Sequence, residues 1–97
     1  MNFKILILEE AKSDVRESIA WYKHINPLLS QRFANSFNNS VKQIKENPFQ
    51  YQIRYDEIRV VLLKTFPYLI HFSIDNEIIV IKAVLHTSRN SKINKIF

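Results

Sequence analysis

The sequence contains no glycine, and this absence narrows the functions that it can have. Loops that wrap closely around phosphate groups depend on glycine, because a backbone without Cβ can approach a ligand where other residues would clash. The usual glycine-rich nucleotide-binding motifs are therefore missing. This argues against an enzyme that depends on ATP or a dinucleotide, and we expect no cofactor.

Cysteine is also absent, so the chain has neither disulfide bonds nor thiolate ligands for a metal ion. That composition is compatible with a reducing cytoplasm. The longest apolar run near the start, Ile5 to Leu8, is too short for the apolar core of a signal peptide or for a transmembrane helix. We therefore expect a soluble, cytoplasmic protein without a membrane partner, folded as one domain over residues 1–97.

Acidic residues are missing from the last part of the chain. From Lys82 to Phe97 there are four basic residues and no acidic one, within a chain whose formal net charge is +5. Such a segment suits an anionic partner, either nucleic acid or an acidic protein segment, although solubility alone would also account for it.

Apolar residues recur at helical spacing in two consecutive segments. Phe3 to Leu8 reads as a short strand, after which the spacing predicts one helix over Glu9–Ile25 and a second over Leu28–Glu46. Asn26 and Pro27 leave only a short joint between them, which predicts an antiparallel helical hairpin. The expected buried positions are Ala11, Val15, Ile19 and Tyr22, with Trp21 beside them, and Leu29, Phe33, Phe37, Val41 and Ile44.

Three apolar strands follow, over about residues 57–64, 68–74 and 78–85, with short turns that predict an antiparallel meander. We interpret Phe49 to Asp56 as a loop, and the pattern is lost after Leu85. The predicted fold class is therefore α+β, with the order strand, helix, helix and three strands. The helical hairpin is expected to pack on one face of an antiparallel sheet.

The second face of this sheet mixes aliphatic and basic residues, and no helix remains to cover it. A surface of this kind is better explained by a protein partner than by water. We expect it to carry Arg59, Leu69, His71, Lys82 and His86, with Arg89 just beyond.

A series of residues along nearly the whole chain resembles one known family. The series is Asp14, Trp21-Tyr22, Pro27, Arg32-Phe33, Asn47-Pro48, Tyr51, Ile58-Arg59, Phe66-Pro67-Tyr68, His86 and Arg89. In this order, behind a helical hairpin, it resembles the RelE/ParE superfamily of toxins from bacterial type II toxin-antitoxin modules. The ParE-type branch is the most similar.

The resemblance implies a toxin that arrests growth, takes part in plasmid stabilisation and forms a hetero-oligomer with a cognate antitoxin. RelE-like members cut messenger RNA on the ribosome without a metal, whereas ParE-like members poison DNA gyrase and are not known as enzymes. RelE-like nucleases carry an arginine on the second strand of the meander. Here that stretch is Tyr68-Leu69-Ile70-His71, so gyrase is the expected target. The alternatives are a ribosome-dependent mRNA endonuclease and a degenerate, non-toxic binding module.

The candidate functional residues follow from these readings. Metal-free cleavage of RNA needs an acid, a base and cations around one phosphate, for which Arg59, His86 and Arg89 are the candidates. Candidates for binding the antitoxin or the target are Arg59, Leu69, His71, Lys82, His86 and Arg89. Structural roles compete with these assignments, namely an ion pair between Arg59 and Asp56, and hydrogen-bonded structural histidines at His71 and His86. No His, Asp and Glu cluster has metal-ligand spacing.

Overall fold

The computed structural model describes residues 2–88. It confirms the α+β class, with two helices inserted between the first strand and the rest of the sheet. The elements are β1 (Lys4–Ile7), α1 (Glu9–Ile25), α2 (Pro27–Glu46), a 3-10 turn (Pro48–Gln50), β2 (Ile53–Tyr55), β3 (Ile58–Leu62), β4 (Tyr68–Asp75) and β5 (Ile78–His86).

One residue, Asn26, both ends α1 and begins α2. Its backbone N–H donates to the carbonyl oxygen of Tyr22, and its side-chain oxygen accepts a hydrogen bond of 2.9 Å from the N–H of Leu28. Pro27 occupies the first turn of α2, where no intrahelical donor is required. The joint is thus a single residue, and the predicted helical hairpin is confirmed.

The sheet has five strands in the order β1-β5-β4-β3-β2, and this corrects two expectations. First, β1 pairs in parallel with β5, whereas the other neighbours are antiparallel. Second, the segment that we interpreted as a loop contains the 3-10 turn and the edge strand β2. The pairing of β2 with β3 depends on backbone contacts across a tight turn, and an exposed edge strand of three residues has no clear apolar alternation.

The tight turns are made without glycine. In the part of the chain that the structure describes, four residues have positive φ, namely Asp56 (41°), Glu57 (62°), Thr65 (68°) and Asn76 (56°). Side chains with a Cβ incur a steric cost in this region, which is larger for a β-branched threonine than for asparagine or aspartate. Asp56 and Glu57 form the two-residue connection between β2 and β3, and two positive φ angles there are the requirement of a type I′ turn.

We expect Glu57→Gly to stabilise the fold by about 0.5–1 kcal/mol. Relief of the left-handed backbone is worth about 1–2 kcal/mol, and the greater freedom of glycine in the unfolded chain offsets part of it. The measurement is urea unfolding followed by circular dichroism. Glu57→Ala is the control, because it removes the same carboxylate and keeps Cβ; an equal gain there would contradict the backbone explanation.

The core lies between the helical hairpin and one face of the sheet, and its centre is a group of four rings. Phe33 is fully buried, and its ring centroid lies 5.5 Å from Tyr22, 5.3 Å from Phe66 and 4.9 Å from Tyr68. The predicted apolar stripes of both helices pack against this core. Trp21 was expected to join them, but its side chain is 51% exposed, because it lies beside the stripe and only Tyr22 points inward.

Candidate functional site

The strand register determines which residues share the face of the sheet turned away from the helices, here called the outer face. Arg59 lies opposite Phe72 and His86 lies opposite Tyr68, and both aromatic partners belong to the core. Cross-strand partners share a face. The expectation that Arg59 and His86 lie on the outer face is therefore wrong.

A β-bulge explains the error for His86. His71 pairs with Ala83 and Phe72 with Ile81, so Lys82 is an extra residue in β5. The bulge turns both Ile81 and Val84 toward the helices and reverses the alternation that follows. For Arg59 the cause is different, since the two alternating sets of β3 residues are equally apolar and the sequence did not show which one is covered.

Arg59 holds the 3-10 turn against the sheet. Its guanidinium donates a hydrogen bond to the carbonyl oxygen of Tyr51 and lies 5.3 Å from the centroid of the Phe49 ring. That ring in turn contacts Phe3, with 6.0 Å between the centroids. Within residues 2–88, the expected ion pair between Arg59 and Asp56 is not formed. The half-buried side chain thus has a structural role in connecting β3 to the segment before β2.

His71 does lie on the outer face, yet it is fully buried. The side chain of Tyr55 lies beside it, and Tyr55 Oη and His71 Nδ1 share a hydrogen bond of 2.9 Å. Burial lowers the pKa of His71 from its usual 6.5 to about 4, because the charged imidazolium loses its solvation. The pKa of the Tyr55 hydroxyl is raised, first by burial and then by the charge of Asp56. Both side chains are therefore neutral near pH 7.

The pairing of β1 with β5 ends at Ile81, and beyond that point α1 contacts the edge of β5. The carboxylate of Asp14 accepts a hydrogen bond of 2.9 Å from the backbone N–H of Val84. This bond connects the first helix to the strand just after the bulge at Lys82, whose own side chain is exposed. Leu69 is half-buried in register with Leu62 and Leu85. Arg89 lies outside the described residues.

His86 lies in a groove beside α1, away from His71. The groove has a volume of about 210 Å³ and is lined by Asp14, Glu17, Ser18, Trp21, Tyr68, Val84 and His86. The rings of His86 and Tyr68 meet edge to face at 5.1 Å, and the backbone N–H of Ser88 donates to His86 Nδ1 at 3.0 Å. The imidazole is thus positioned by its neighbours, next to carboxylates and apart from the basic residues with which we grouped it.

One end of the outer face exposes apolar side chains along the edge strand β1. Leu6 is 50% exposed and Ile78 is 40% exposed, and the half-buried Val80 is the cross-strand partner of Leu6. Lys4, paired with Ile78, and Lys82 supply positive charge. These five residues are here called the outer patch. This apolar surface has a basic rim and lies at the edge of the sheet, where β1 pairs with β5 on one side only. Such a surface is suited to a protein partner.

Two further features of the described residues bear on the kind of site. Among residues 2–88, no group of three or more His, Cys, Asp or Glu side chains is arranged to hold a metal ion. In the same part of the chain, none of the helices is both long and apolar enough to cross a membrane.

A helical hairpin on a five-stranded sheet, with an apolar and basic outer face, has the architecture expected of a RelE/ParE-type toxin. The family model described as "ParE toxin of type II toxin-antitoxin system, parDE" matches residues 5–91. The chain therefore belongs to the ParE toxin family.

A solved structure, "Chromosomal ParDE TA system from P. aeruginosa", agrees with this fold. It superposes on this chain with a TM-score of 0.76 and 17% sequence identity, and the match covers 87% of this chain and 95% of that chain. At this identity the match supports the fold alone. No curated protein sequence matches significantly.

Proposed function

We propose that this toxin stops growth by poisoning DNA gyrase and is neutralised by a cognate antitoxin. The observation that carries the proposal is the family match over residues 5–91, which places the chain in the ParE family. The lack of arginine in the stretch from Tyr68 to His71 agrees with it, because the resemblance associates an arginine there with RNA cleavage.

The arrangement of the candidate residues disfavours cleavage of RNA at a centre built from Arg59 and His86. Their cross-strand partners on β4, Phe72 and Tyr68, are four residues apart, roughly 13 Å along a strand. Arg59 and His86 also belong to different strands, on either side of β4. An acid, a base and a cation must meet at one phosphate within hydrogen-bond reach, so these two side chains do not form such a centre.

Controlled expression in a bacterium tests the proposed target. We expect growth arrest accompanied by double-strand breaks in DNA recovered after lysis with detergent and protease, while messages remain full-length. Messages cut within reading frames, with intact DNA, would instead establish the ribosome-dependent endonuclease. Normal growth with a folded, abundant protein would establish the non-toxic binding module.

The outer patch is the surface that we propose for the antitoxin. Leu6 and Ile78 offer apolar area to the anchors of an amphipathic segment, and Lys4 and Lys82 are placed to meet its carboxylates. A disordered segment that folds on binding gains most of its affinity from such anchors. The basic rim favours an acidic segment over a basic one.

The double variant Leu6→Lys/Ile78→Lys is expected to weaken binding of the cognate antitoxin by at least about tenfold, because two charges would be buried at the interface. The measurement is titration calorimetry with the purified partner. The matched control is Ile25→Lys/Leu28→Lys, which places the same charges on exposed apolar positions, 58% and 52% accessible, at the tip of the hairpin. Equal affinities for the two variants would exclude the outer patch.

A further inference from the structure

A second, larger groove runs between α2 and the turn that joins β3 to β4, and is here called the α2 groove. Its volume is about 670 Å³. It is lined by Arg32, Asn35, Ser36, Asn39, Ser40, Lys42, Gln43, Glu46, Val61, Leu62, Lys64 and Thr65. Its side chains have no part in the ring cluster or the outer patch, and sequence reasoning did not select it as a site.

The α2 groove has an excess of positive charge. Among residues 2–88, Arg32, Lys42 and Lys64 line it, against a single carboxylate from Glu46. Among the described residues, the three cationic side chains form neither an ion pair nor a hydrogen bond, and all three are exposed. A ligand can therefore bind these cations without breaking an ion pair or a hydrogen bond among the described residues.

Between the cations the groove is lined by neutral donors. Asn35, Asn39 and Gln43 recur every four residues, which puts them on one face of α2. Amide side chains donate hydrogen bonds to phosphate oxygens and to base edges alike. The groove therefore presents cations together with neutral hydrogen-bond donors along the helix.

The opposite wall is held in place by specific hydrogen bonds. The Ser36 hydroxyl donates to the carbonyl oxygen of Lys64 at 2.8 Å, and the Thr65 hydroxyl donates to the same oxygen at 2.6 Å. Thr65 has φ of 68°, an unfavourable value for a β-branched residue. Backbone strain of this kind persists where the surroundings enforce it, and it concentrates at binding sites. The contacts fix the backbone that carries the Lys64 side chain.

We propose that the α2 groove binds the sugar-phosphate backbone of duplex DNA. The inference rests on the proposed function, since it names the surface with which this toxin holds the DNA in the complex that it poisons. Arg32 and Lys42 are ten positions apart, about 15 Å along a helix. One strand of a duplex presents a phosphate about every 3.4 Å, so this length spans about four phosphates.

The composition of the groove favours nucleic acid over an acidic polypeptide. Of its lining residues only Val61 and Leu62 are apolar, and they lie together at one side. Peptide segments need apolar or aromatic anchors in buried pockets to bind specifically. A phosphate backbone needs cations and hydrogen-bond donors, which the groove supplies along its whole length.

The test is fluorescence anisotropy of the purified full-length protein with a labelled DNA duplex at several salt concentrations. We expect Arg32→Gln/Lys42→Gln/Lys64→Gln to bind at least about tenfold more weakly at low salt. The dependence of log affinity on log salt should also become shallower by about 2.7, the value for three phosphate contacts.

The matched control is Arg16→Gln/Lys23→Gln/Lys45→Gln, which removes the same charges from exposed positions outside the groove. Each triple variant has a formal charge of 5 − 3 = +2, relative to +5 for the chain. The control is expected to bind DNA within about twofold of its parent. Equal losses in both variants, no binding of the duplex at low salt, or polyglutamate binding as tightly as DNA would each overturn the proposal.

Antitoxin binding by both variants verifies that they are folded. The anisotropy assay contains no gyrase, so its outcome is separate from that of the proposed function. Duplex binding that depends on the groove, with no DNA breakage by gyrase, would sustain the groove and refute the gyrase target. If the protein does not bind the duplex, and the groove variant still causes gyrase to break DNA as the parent does, the gyrase target would be supported and the groove refuted.

Discussion

Replacing Phe33 with alanine is expected to lower the free energy of unfolding by about 3–5 kcal/mol, which is a large part of the stability of a small domain. The ring is fully buried and contacts Tyr22, Phe66 and Tyr68 at once. Phe33 lies on α2, and its three partners come from α1, from the β3–β4 turn and from β4. The substitution would leave a cavity at the point where the helical hairpin is attached to the sheet.

Urea unfolding monitored by circular dichroism measures this loss. Because Phe33→Ala can fail to fold, Phe33→Leu serves as a second variant, with an expected loss of about 1–1.5 kcal/mol. Asn38→Ala, at an exposed position on the same helix, is the control and should change stability by less than about 0.5 kcal/mol. Unchanged stability in both Phe33 variants would contradict the assignment of the ring cluster as the centre of the core.

Acidification is expected to cost this protein about 3 kcal/mol of stability through His71 alone. The pKa of this buried imidazole is lowered from 6.5 in the unfolded chain to about 4 in the fold. As the pH falls through this window, the unfolded chain takes up a proton that the folded chain does not, so unfolding becomes more favourable. The contribution is complete above pH 6.5 and is lost progressively toward pH 4.

The comparison that isolates His71 is with His71→Gln, which keeps a polar side chain near Tyr55 and cannot become cationic. Stability curves of both proteins are measured by urea unfolding at intervals from pH 7.5 to about 4. The difference between them should shrink by about 3 kcal/mol on acidification. Parallel curves would show that His71 is not buried as a neutral imidazole.

The helical hairpin was predictable because its signals are local. The apolar spacing of both helices, and the stop and start around Asn26, depend on residues within a few positions of each other. The bounds of α1, Glu9–Ile25, agree with the prediction, and α2 begins one residue earlier, at Pro27. Two of the four clustered rings, Tyr22 and Phe33, belong to the predicted apolar stripes of the helices.

The faces of the sheet were harder to predict, because they depend on long-range pairing. The bulge at Lys82 reverses the alternation of β5 and moves His86 to the helix side, and no residue type in the sequence marks it. The α2 groove was missed for a related reason. Its cations come from α2 and from the β3–β4 turn, and only the fold brings Lys64 beside Lys42.

The surface that we propose for the antitoxin was predicted in part. The helical hairpin packs on one face of the sheet, and the other face exposes Leu6 and Ile78 near the exposed Lys82. Arg59 was misplaced because the two alternating sets of β3 residues are equally apolar, so the sequence did not show which set the helices cover. Its long side chain instead lies on the Phe49 ring and binds the Tyr51 carbonyl, contacts that the sequence pattern does not reveal.

The proposal that this ParE-family protein poisons gyrase can be tested in a reconstituted cleavage reaction. Purified protein is incubated with gyrase, supercoiled plasmid and ATP, and the reaction is stopped with detergent and protease. We expect linear plasmid that increases with the amount of toxin and disappears when the cognate antitoxin is added first. If the protein is folded and arrests growth in cells, but gyrase processes the plasmid as it does without toxin, then gyrase is not the target.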